Sequence, residues 1–298
     1  MKALRWGPLL AVLLLSSCAV QKVLSTDRTH FSSVEEISEK FHPEGTLKQV
    51  LCESSVPGPS ARKVLVYLPS GYYDNNDEYP VVYLFHGARG NETSWIKDGD
   101  LFGTVDSLNR SGSGRKVIVV LPNMNQYDDD ADYADSRFKK PIESFFETDG
   151  TVEYAFPDDV VGYIDSHFRT LRSKEGRAIA GLSIGALQSI YISADNPEMF
   201  DYVGLFSPMF RSPVKHSDYS FLYKYKELVR KQKIQFSDPP QLYFIAIGRS
   251  DIFHGHMRNY RRYLDRNGYA YNYLETGGGH NWTNWSEFFR QFSKMYFK

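Results

Sequence analysis

The sequence predicts an α/β fold in which a mostly parallel central sheet of about eight strands carries helices on both faces. Short apolar segments alternate with longer amphipathic segments along most of the 298 residues, and this alternation is typical of βαβ units. Several apolar segments have no polar residue at alternate positions, as expected for strands buried on both sides. The near balance of 35 basic and 36 acidic residues gives no cationic surplus, so no nucleic-acid partner is expected.

The predicted strands and helices follow from these patterns in chain order. The strands are expected at 46–54, 62–69, 80–85, 116–121, 177–182, 202–206, 241–247 and 271–275. A proline- and glycine-rich turn separates the first two strands, which predicts an antiparallel start to the sheet. Helical patterns occur at 33–41, 156–168, 184–195, 219–232, 256–267 and 282–296. Right-handed crossovers between the parallel strands would place these helices on the two faces.

The N-terminal residues have the pattern of a targeting segment. Lys2 and Arg5 precede an apolar stretch, 8–15, that is too short to span a bilayer. The stretch ends in Leu15-Ser16-Ser17-Cys18, which resembles the lipobox of bacterial lipoproteins, where the cysteine becomes lipidated. An ordinary secretory signal cleaved near Cys18 is the alternative.

This pattern predicts how the chain is divided. We expect a signal peptide at 1–17, a tether at 18–42 and a single folded domain at 43–298. The mature protein would be exported and held on a membrane by a lipid anchor at Cys18, facing the periplasm or the cell surface. Cys52 would then be the one remaining thiol, so no intramolecular disulfide is expected.

The most specific motif is Gly181-Leu182-Ser183-Ile184-Gly185, which lies between a predicted strand and a predicted helix. A nucleophile elbow requires this order of strand, turn and helix, and the flanking glycines permit its sharp turn. The serine also lies at a helix N-terminus, where the dipole favours developing negative charge. Ser183 is therefore the candidate nucleophile, and a purely structural Gly-Ser-Gly turn is the alternative.

A nucleophilic serine needs a base and an acid that orients the base, and both follow the elbow along the chain. His280 lies in a glycine-rich loop after the last predicted strand, and Asp251 follows the strand at 241–247. We predict His280 as the general base and Asp251 as its acid. His254 and His256, close to Asp251, leave a metal site open as a weaker interpretation. No cysteine or histidine spacing is typical of structural zinc, and the predicted chemistry needs no metal or other cofactor.

Stabilisation of a tetrahedral oxyanion requires two backbone N–H donors. One is expected from Ile184, directly after the nucleophile. The other is expected from residues 86–90, which follow the strand at 80–85 and which we call the oxyanion loop. Ala88 is the predicted donor within it.

Together these segments resemble the esterase family of the α/β-hydrolase superfamily that includes esterase D, feruloyl esterases and related carbohydrate esterases, and mycolyltransferases. The resemblance implies a triad of Ser183, Asp251 and His280, oxyanion donors at Ala88 and Ile184, and a place for Trp95 near the acyl pocket. The matching segments are Val66-Tyr67-Leu68-Pro69, Tyr79 through Gly87, Ser94-Trp95, Ala180 through Gly185, Asn196 through Phe200, and Gly279 through Trp282 with Trp285.

The sequence departs from the family pattern at two places. Ala186 stands where members often have glycine, and residues 159–162 replace a frequent Glu-Leu-Ile-Pro. Both changes concern packing around the elbow and leave the chemistry unaltered.

The resemblance implies a serine esterase that works through an acyl-enzyme. With export, the expected substrates are feruloyl or acetyl esters of plant polysaccharides or oligosaccharides. Trp95 and Trp282 are expected to contact the substrate, with Tyr127 and Tyr133 as further candidates. An acyltransferase or a siderophore esterase on the same fold, or a non-catalytic carbohydrate-binding lipoprotein, are the alternatives.

Overall fold

The computed structural model describes residues 31, 33–56, 60–112, 114–125, 150–210 and 225–297, and within them eight strands form one sheet. The order across the sheet is β1-β2-β4-β3-β5-β6-β7-β8. The strands are β1 (Thr46–Glu53), β2 (Ala61–Leu68), β3 (Val81–Phe85), β4 (Ile118–Pro122), β5 (Arg177–Leu182), β6 (Tyr202–Phe206), β7 (Leu242–Gly248) and β8 (Asn272–Thr276).

Strand direction divides the sheet into a short antiparallel part and a long parallel part. β1 pairs antiparallel with β2, and β2 pairs antiparallel with β4. All further pairs, from β4 across to β8, are parallel. The predicted fold class and the predicted antiparallel start are both confirmed. Because the parallel strands all run the same way, their carboxyl ends meet at one edge of the sheet.

Helices cover both faces of the sheet, as predicted. One face packs against α6 and α8, and the other against α3 and α9. Within β3, Val81, Tyr83 and Phe85 belong to the first core cluster, whereas Val82 and Leu84 belong to the second. The helices are α1 (Val34–Phe41), α2 (Ser94–Asp98), α3 (Leu101–Ser111), α4 (Thr151–Phe156), α5 (Gly162–His167), α6 (Ile184–Asp195), α7 (Lys226–Gln235), α8 (His254–Asn267) and α9 (Trp282–Ser293).

The helices differ from the prediction in several places: α7 ends at Gln235, α8 begins at His254 and α9 ends at Ser293. The helix expected at 156–168 begins already at Thr151, and a π-helical turn, Pro157–Val161, joins α4 to α5. Pro157, the first residue of this turn, thus lies inside a continuous helical segment. α2 and α3 were not predicted, because α2 is short and α3 contains Gly103 and several weak helix formers. Of the helix expected at 219–232, the part before residue 225 lies outside the described residues.

The segment before β1 contains the short helix that was expected at 33–41. Ser33 caps α1 by accepting a hydrogen bond from the Glu36 N–H, and Ile37 is buried against the core. Residues 1–30, including the predicted signal peptide and Cys18, lie outside the described residues, so the division at residue 42 stays a prediction. Among the described helices, none is long and apolar enough to cross a membrane.

A buried hydrogen-bond cluster attaches the beginning of β1 to α3. The Tyr67 hydroxyl accepts the Gly45 N–H at 2.8 Å and donates to the carboxylate of Asp106, which also accepts the Glu44 N–H at 3.1 Å. Replacing Tyr67 with phenylalanine would leave the Gly45 N–H and one carboxylate oxygen without this partner.

We expect Tyr67→Phe to lower the free energy of unfolding by about 1–3 kcal/mol, the usual cost of leaving buried polar groups unsatisfied. Urea denaturation measures this change. Tyr73→Phe is the matched control, because Tyr73 is 58% exposed, and it should change stability by less than about 0.5 kcal/mol. Equal effects of the two substitutions would contradict the prediction.

Candidate active site

The turn after β5 holds Ser183 in a conformation that is rare outside glycine. Its φ is 56° and its ψ is −115°, a strained geometry that persists only where the surroundings enforce it. The Ser183 N–H donates to the Phe206 carbonyl at 2.9 Å, and its own carbonyl accepts the Met209 N–H at 3.2 Å. These two hydrogen bonds fix the turn, which lifts the Ser183 side chain off the sheet as a nucleophile elbow does.

The two glycines of the motif permit the close approach of α6 to the sheet. A Cβ built on Gly185 would lie 2.3 Å from the His86 carbonyl oxygen, and one on Gly181 would lie 2.6 Å from the Gly185 carbonyl. Either distance is far below van der Waals contact. A side chain at Gly185 would push α6 away from the end of β3, and one at Gly181 would collide with the first turn of α6. Ala186, the departure from the family pattern, is fully buried in the core, so its methyl group is accommodated.

Ser183, His280 and Asp251 are brought together in one hydrogen-bonded chain. His280 Nε2 lies 2.9 Å from Ser183 Oγ, and His280 Nδ1 lies 3.0 and 3.2 Å from the two carboxylate oxygens of Asp251. An ionised carboxylate can only accept, so we assign the imidazole proton to Nδ1, and Nε2 is free to take a proton from the serine. All three residues are buried, which strengthens each of these interactions.

Asp251 is positioned by the turn that connects β7 to α8. Its N–H donates to the Gly248 carbonyl at 3.1 Å, and its carboxylate accepts the Phe253 N–H at 2.8 Å. The His254 side chain pairs instead with Glu275, with 3.1 Å between His254 Nε2 and Glu275 Oε2. In the described part of the chain, no three His, Cys, Asp or Glu side chains are grouped so as to hold a metal ion. The structure thus gives no support to the metal interpretation of His254 and His256.

The His280 ring is held between two aromatic side chains. Phe253 and Trp285 contact it edge to face, with ring centroids at 5.0 and 4.8 Å. Asn284 fixes the loop before the histidine by donating to the Gly279 carbonyl at 2.8 Å. The sequence contains no signal for Phe253 or Asn284. The contact of Phe253 depends on the path of the turn between β7 and α8, and the contact of Asn284 depends on which face of α9 carries it.

The two predicted oxyanion donors belong to segments that adjoin the serine. Ile184 begins α6, and the first N–H groups of a helix have no acceptor within it. A Cβ built on Gly87 would lie 3.5 Å from Ser183 Cβ, so the oxyanion loop passes directly beside the serine. Across the described ranges, the Ala88 N–H has no backbone acceptor. The role of these two N–H groups as oxyanion donors stays a prediction.

Residues 123–125, which we call the anchor segment, hold the oxyanion loop from the end of β4. The Met124 N–H donates to His86 Nε2 at 3.0 Å, so His86 carries its proton on Nδ1 and donates it to the Gly87 carbonyl at 2.8 Å. The Asn125 amide donates to the Gly90 carbonyl at 2.9 Å. His86 is the first residue of the predicted oxyanion loop, whereas no sequence signal pointed to Asn125.

The structure corrects the expectation for Trp95. Its side chain is 1% exposed and donates from Nε1 to the Phe85 carbonyl at 2.9 Å. Its ring packs edge to face against that of Trp282, with the ring centroids 5.2 Å apart. Trp95 thus presents no surface to a substrate and instead supports the end of β3. Trp282 is half-buried, and its contact with a substrate stays a prediction. Tyr127 and Tyr133 lie outside the described residues.

We expect Gly185→Ala to slow the reaction of Ser183 with a fluorophosphonate probe by roughly 10²-fold, because small misplacements of a reacting group have effects of this size. The rate of covalent labelling measures the change, and thermal unfolding reports whether the variant is folded. Gly162→Ala is the matched control, since a Cβ there would meet only the Pro157 carbonyl at 3.7 Å. Unchanged labelling of Gly185→Ala would show that the close approach to His86 is unimportant.

Two curated proteins are similar to this chain in sequence. Over 171 residues, 55% of this chain, it is 34% identical to an endo-1,4-beta-xylanase/feruloyl esterase of Xylanibacter ruminicola, of which the match covers 22%. It is 29% identical over 131 residues, 44% of this chain, to an esterase of Mycobacterium tuberculosis, of which the match covers 25%. The chain thus spans about a quarter or less of the length of these curated relatives.

Solved structures match a larger share of the chain. A ferulic acid esterase from Anaeromyces mucronatus superposes with a TM-score of 0.67 and 25% identity, covering 85% of this chain and 91% of that one. An S-formylglutathione hydrolase from Staphylococcus aureus, 16% identical, covers 84% of this chain and 96% of its own with a TM-score of 0.60, and so shows the fold alone. The family model described as "Putative esterase" matches residues 55–295, and the chain belongs to this esterase family.

Proposed function

We propose that this protein is a serine carboxylic-ester hydrolase that acts through an acyl-enzyme and removes feruloyl groups from plant polysaccharides or oligosaccharides. The observation that carries the proposal is the unbroken hydrogen-bonded chain from Ser183 Oγ through His280 to Asp251. Membership of the esterase family supports an ester as the substrate.

In the first step, Ser183 Oγ attacks the ester carbonyl carbon while His280 Nε2 takes the hydroxyl proton. The geometry needed for this transfer is present, because the two atoms are 2.9 Å apart. Asp251 holds the imidazole in the correct tautomer and stabilises the imidazolium that forms. The N–H groups of Ile184 and Ala88 donate to the oxyanion of the tetrahedral intermediate, and each such donor contributes about 10²–10³ to kcat.

In the second half of the reaction, the intermediate collapses and the alcohol leaves with the proton from His280. An ester of Ser183 remains. Water then attacks this ester, with His280 again as the base, and the tetrahedral intermediate returns the oxygen to Ser183 as the acid departs. Each proton taken by Nε2 is given back within its own half-reaction, so the enzyme ends unchanged.

The feruloyl group is favoured over the acetyl group by the relatives. The name of the Xylanibacter ruminicola relative includes feruloyl esterase, and the Anaeromyces mucronatus enzyme has been solved in complex with ferulic acid. Beside the triad, Ile252 follows Asp251 directly and is 48% exposed, and the half-buried Trp282 follows His280 by two residues. Apolar and aromatic surfaces of this kind suit an aromatic acyl group.

The purified protein should hydrolyse methyl ferulate faster than p-nitrophenyl acetate, p-nitrophenyl butyrate or S-formylglutathione. We expect Ser183→Ala to abolish turnover of all four, because without the hydroxyl no acyl-enzyme forms. Product release followed by chromatography measures the rates, and Ser237→Ala, at an exposed serine outside the site, is the control that should retain full activity.

Two results would change the proposal. A preference for S-formylglutathione or for acetate would keep the serine esterase and overturn the feruloyl assignment. Activity that survives in a folded Ser183→Ala protein, or no ester hydrolysis by the folded wild type, would overturn the serine mechanism itself.

We further propose that the protein is exported as a bacterial lipoprotein anchored at Cys18. The support is the sequence pattern alone, in which a basic start and an apolar stretch precede Leu15-Ser16-Ser17-Cys18. Metabolic labelling with an alkyne-tagged palmitate should label the wild type and should leave Cys18→Ser unlabelled. Equal labelling of both would refute the anchor at this residue.

A further inference from the structure

We propose that Arg62 on β2 is a positioning residue for the oxyanion loop, and that it sets the place of the Ala88 N–H through the anchor segment. This inference rests on the proposed function, because it assigns Arg62 a part in stabilising the oxyanion of ester hydrolysis. Arg62 does not reach the serine itself. It acts on the segment that holds the loop.

The first contact joins Arg62 to the anchor segment. The Arg62 side chain is buried, and its Nη1 donates to the carbonyls of Asn123 and Asn125 at 2.5 and 3.1 Å. Because β2 runs antiparallel to β4, the beginning of β2 lies at the edge where the parallel strands end. A residue far from the site in sequence thus lies beside it in space.

The anchor segment in turn is hydrogen-bonded to both ends of the oxyanion loop. At the start of the loop, the Met124 N–H donates to His86, which donates to the Gly87 carbonyl. At the other end, the Asn125 amide donates to the Gly90 carbonyl at 2.9 Å. Ala88 lies between these two attachments, so its N–H has little freedom to move once the anchor segment is fixed.

Stability alone does not explain a buried guanidinium at this place. Burial lowers the pKa of the Arg62 guanidinium. The nearby carboxylates of Asp159 and Glu153 act in the opposite direction and offset only part of this decrease. Yet Glu153, itself buried, makes no hydrogen bond through either carboxylate oxygen to any group in the described residues. Buried charges that are not tightly paired contribute little to stability or reduce it. The guanidinium is bound to main-chain carbonyls, and its effect is therefore on the geometry of that main chain.

Arginine suits this task better than lysine. Its planar group presents several N–H donors in a fixed arrangement, whereas a lysine ammonium is a flexible point charge. An oxyanion donor must lie about 2.7–3.1 Å from the developing charge, and a misplacement of about 1 Å can cost 10²-fold in rate. A change at Arg62 should therefore affect the transition state more than the binding of substrate.

The test compares Arg62→Met with Arg177→Met in the full-length protein. Arg177 is also buried, but its guanidinium donates to the carboxylate of Asp165. Arg177 is the first residue of β5, roughly 20 Å along the strand from the elbow. We expect Arg62→Met to lower kcat for p-nitrophenyl butyrate by about 10- to 100-fold with KM within about threefold of the wild type. Arg177→Met should leave both constants within about twofold, whatever it does to thermal stability.

A transition-state mimic supplies a readout that a merely structural role would not move. Ser183 adds to the carbonyl of an aryl trifluoromethyl ketone, the serine proton passes to His280, and the ketone oxygen becomes an oxyanion in the same place. Affinity for this inhibitor should fall in Arg62→Met by the same factor as kcat. Arg62→Lys, which keeps the charge but loses the planar group, should fall between the wild type and Arg62→Met.

A second variant covers the case in which Arg62→Met does not fold. Asn125→Ala removes the amide that donates to the Gly90 carbonyl and should reproduce the loss of kcat and of inhibitor affinity at unchanged KM. The inference is overturned if folded Arg62→Met or Asn125→Ala keeps wild-type kcat and inhibitor affinity, or if Arg177→Met shows the same losses. If the wild type itself hydrolyses no ester, the proposed function has failed and not this inference alone.

Discussion

The active site depends on one strained turn, the left-handed backbone of Ser183 at the end of β5. A serine in this region costs on the order of 1–3 kcal/mol, and the surrounding structure offsets the cost. The Ser183 N–H continues the β5–β6 ladder to the Phe206 carbonyl, and Gly185 packs against the carbonyl of His86. The turn fixes the direction of Oγ and the place of the Ile184 N–H together, so neither can be shifted without the other.

The sheet explains why residues distant in sequence meet at this turn. β3, β5, β7 and β8 are parallel, and each ends at the same edge with one part of the site. β3 leads into the oxyanion loop, β5 into Ser183, β7 into Asp251 and β8 into His280. β2 runs the other way, so it is its first residues, including Arg62, that reach this edge. The reaction chemistry is therefore assembled from strand ends, whereas the strands themselves supply only the core.

The parts of the site that were predictable are those with a local signature. The strands follow from apolar runs, and the elbow follows from two glycines around Ser183. The contacts that escaped prediction depend on side chains meeting across the sheet. In the sequence, Arg62 is an ordinary strand residue, and its contacts follow only from the pairing of β2 with β4. Trp95 was expected in the pocket, but α2 directs its side chain into the core. α2 and α3 themselves have weak helix propensity and are formed by burial of residues such as Leu101 and Val105.

The correction at Trp95 and the contacts of Arg62 point to the same physical requirement. Trp95 holds the Phe85 carbonyl from within the core, and Arg62 holds the anchor segment from the neighbouring strand. Neither side chain is placed to touch a substrate, yet both act on the main chain that carries Ala88. An oxyanion donor on a short loop has no side chain to orient it, so its position must come from what holds the loop. Buried residues around that loop can therefore control the rate of the reaction without touching the substrate.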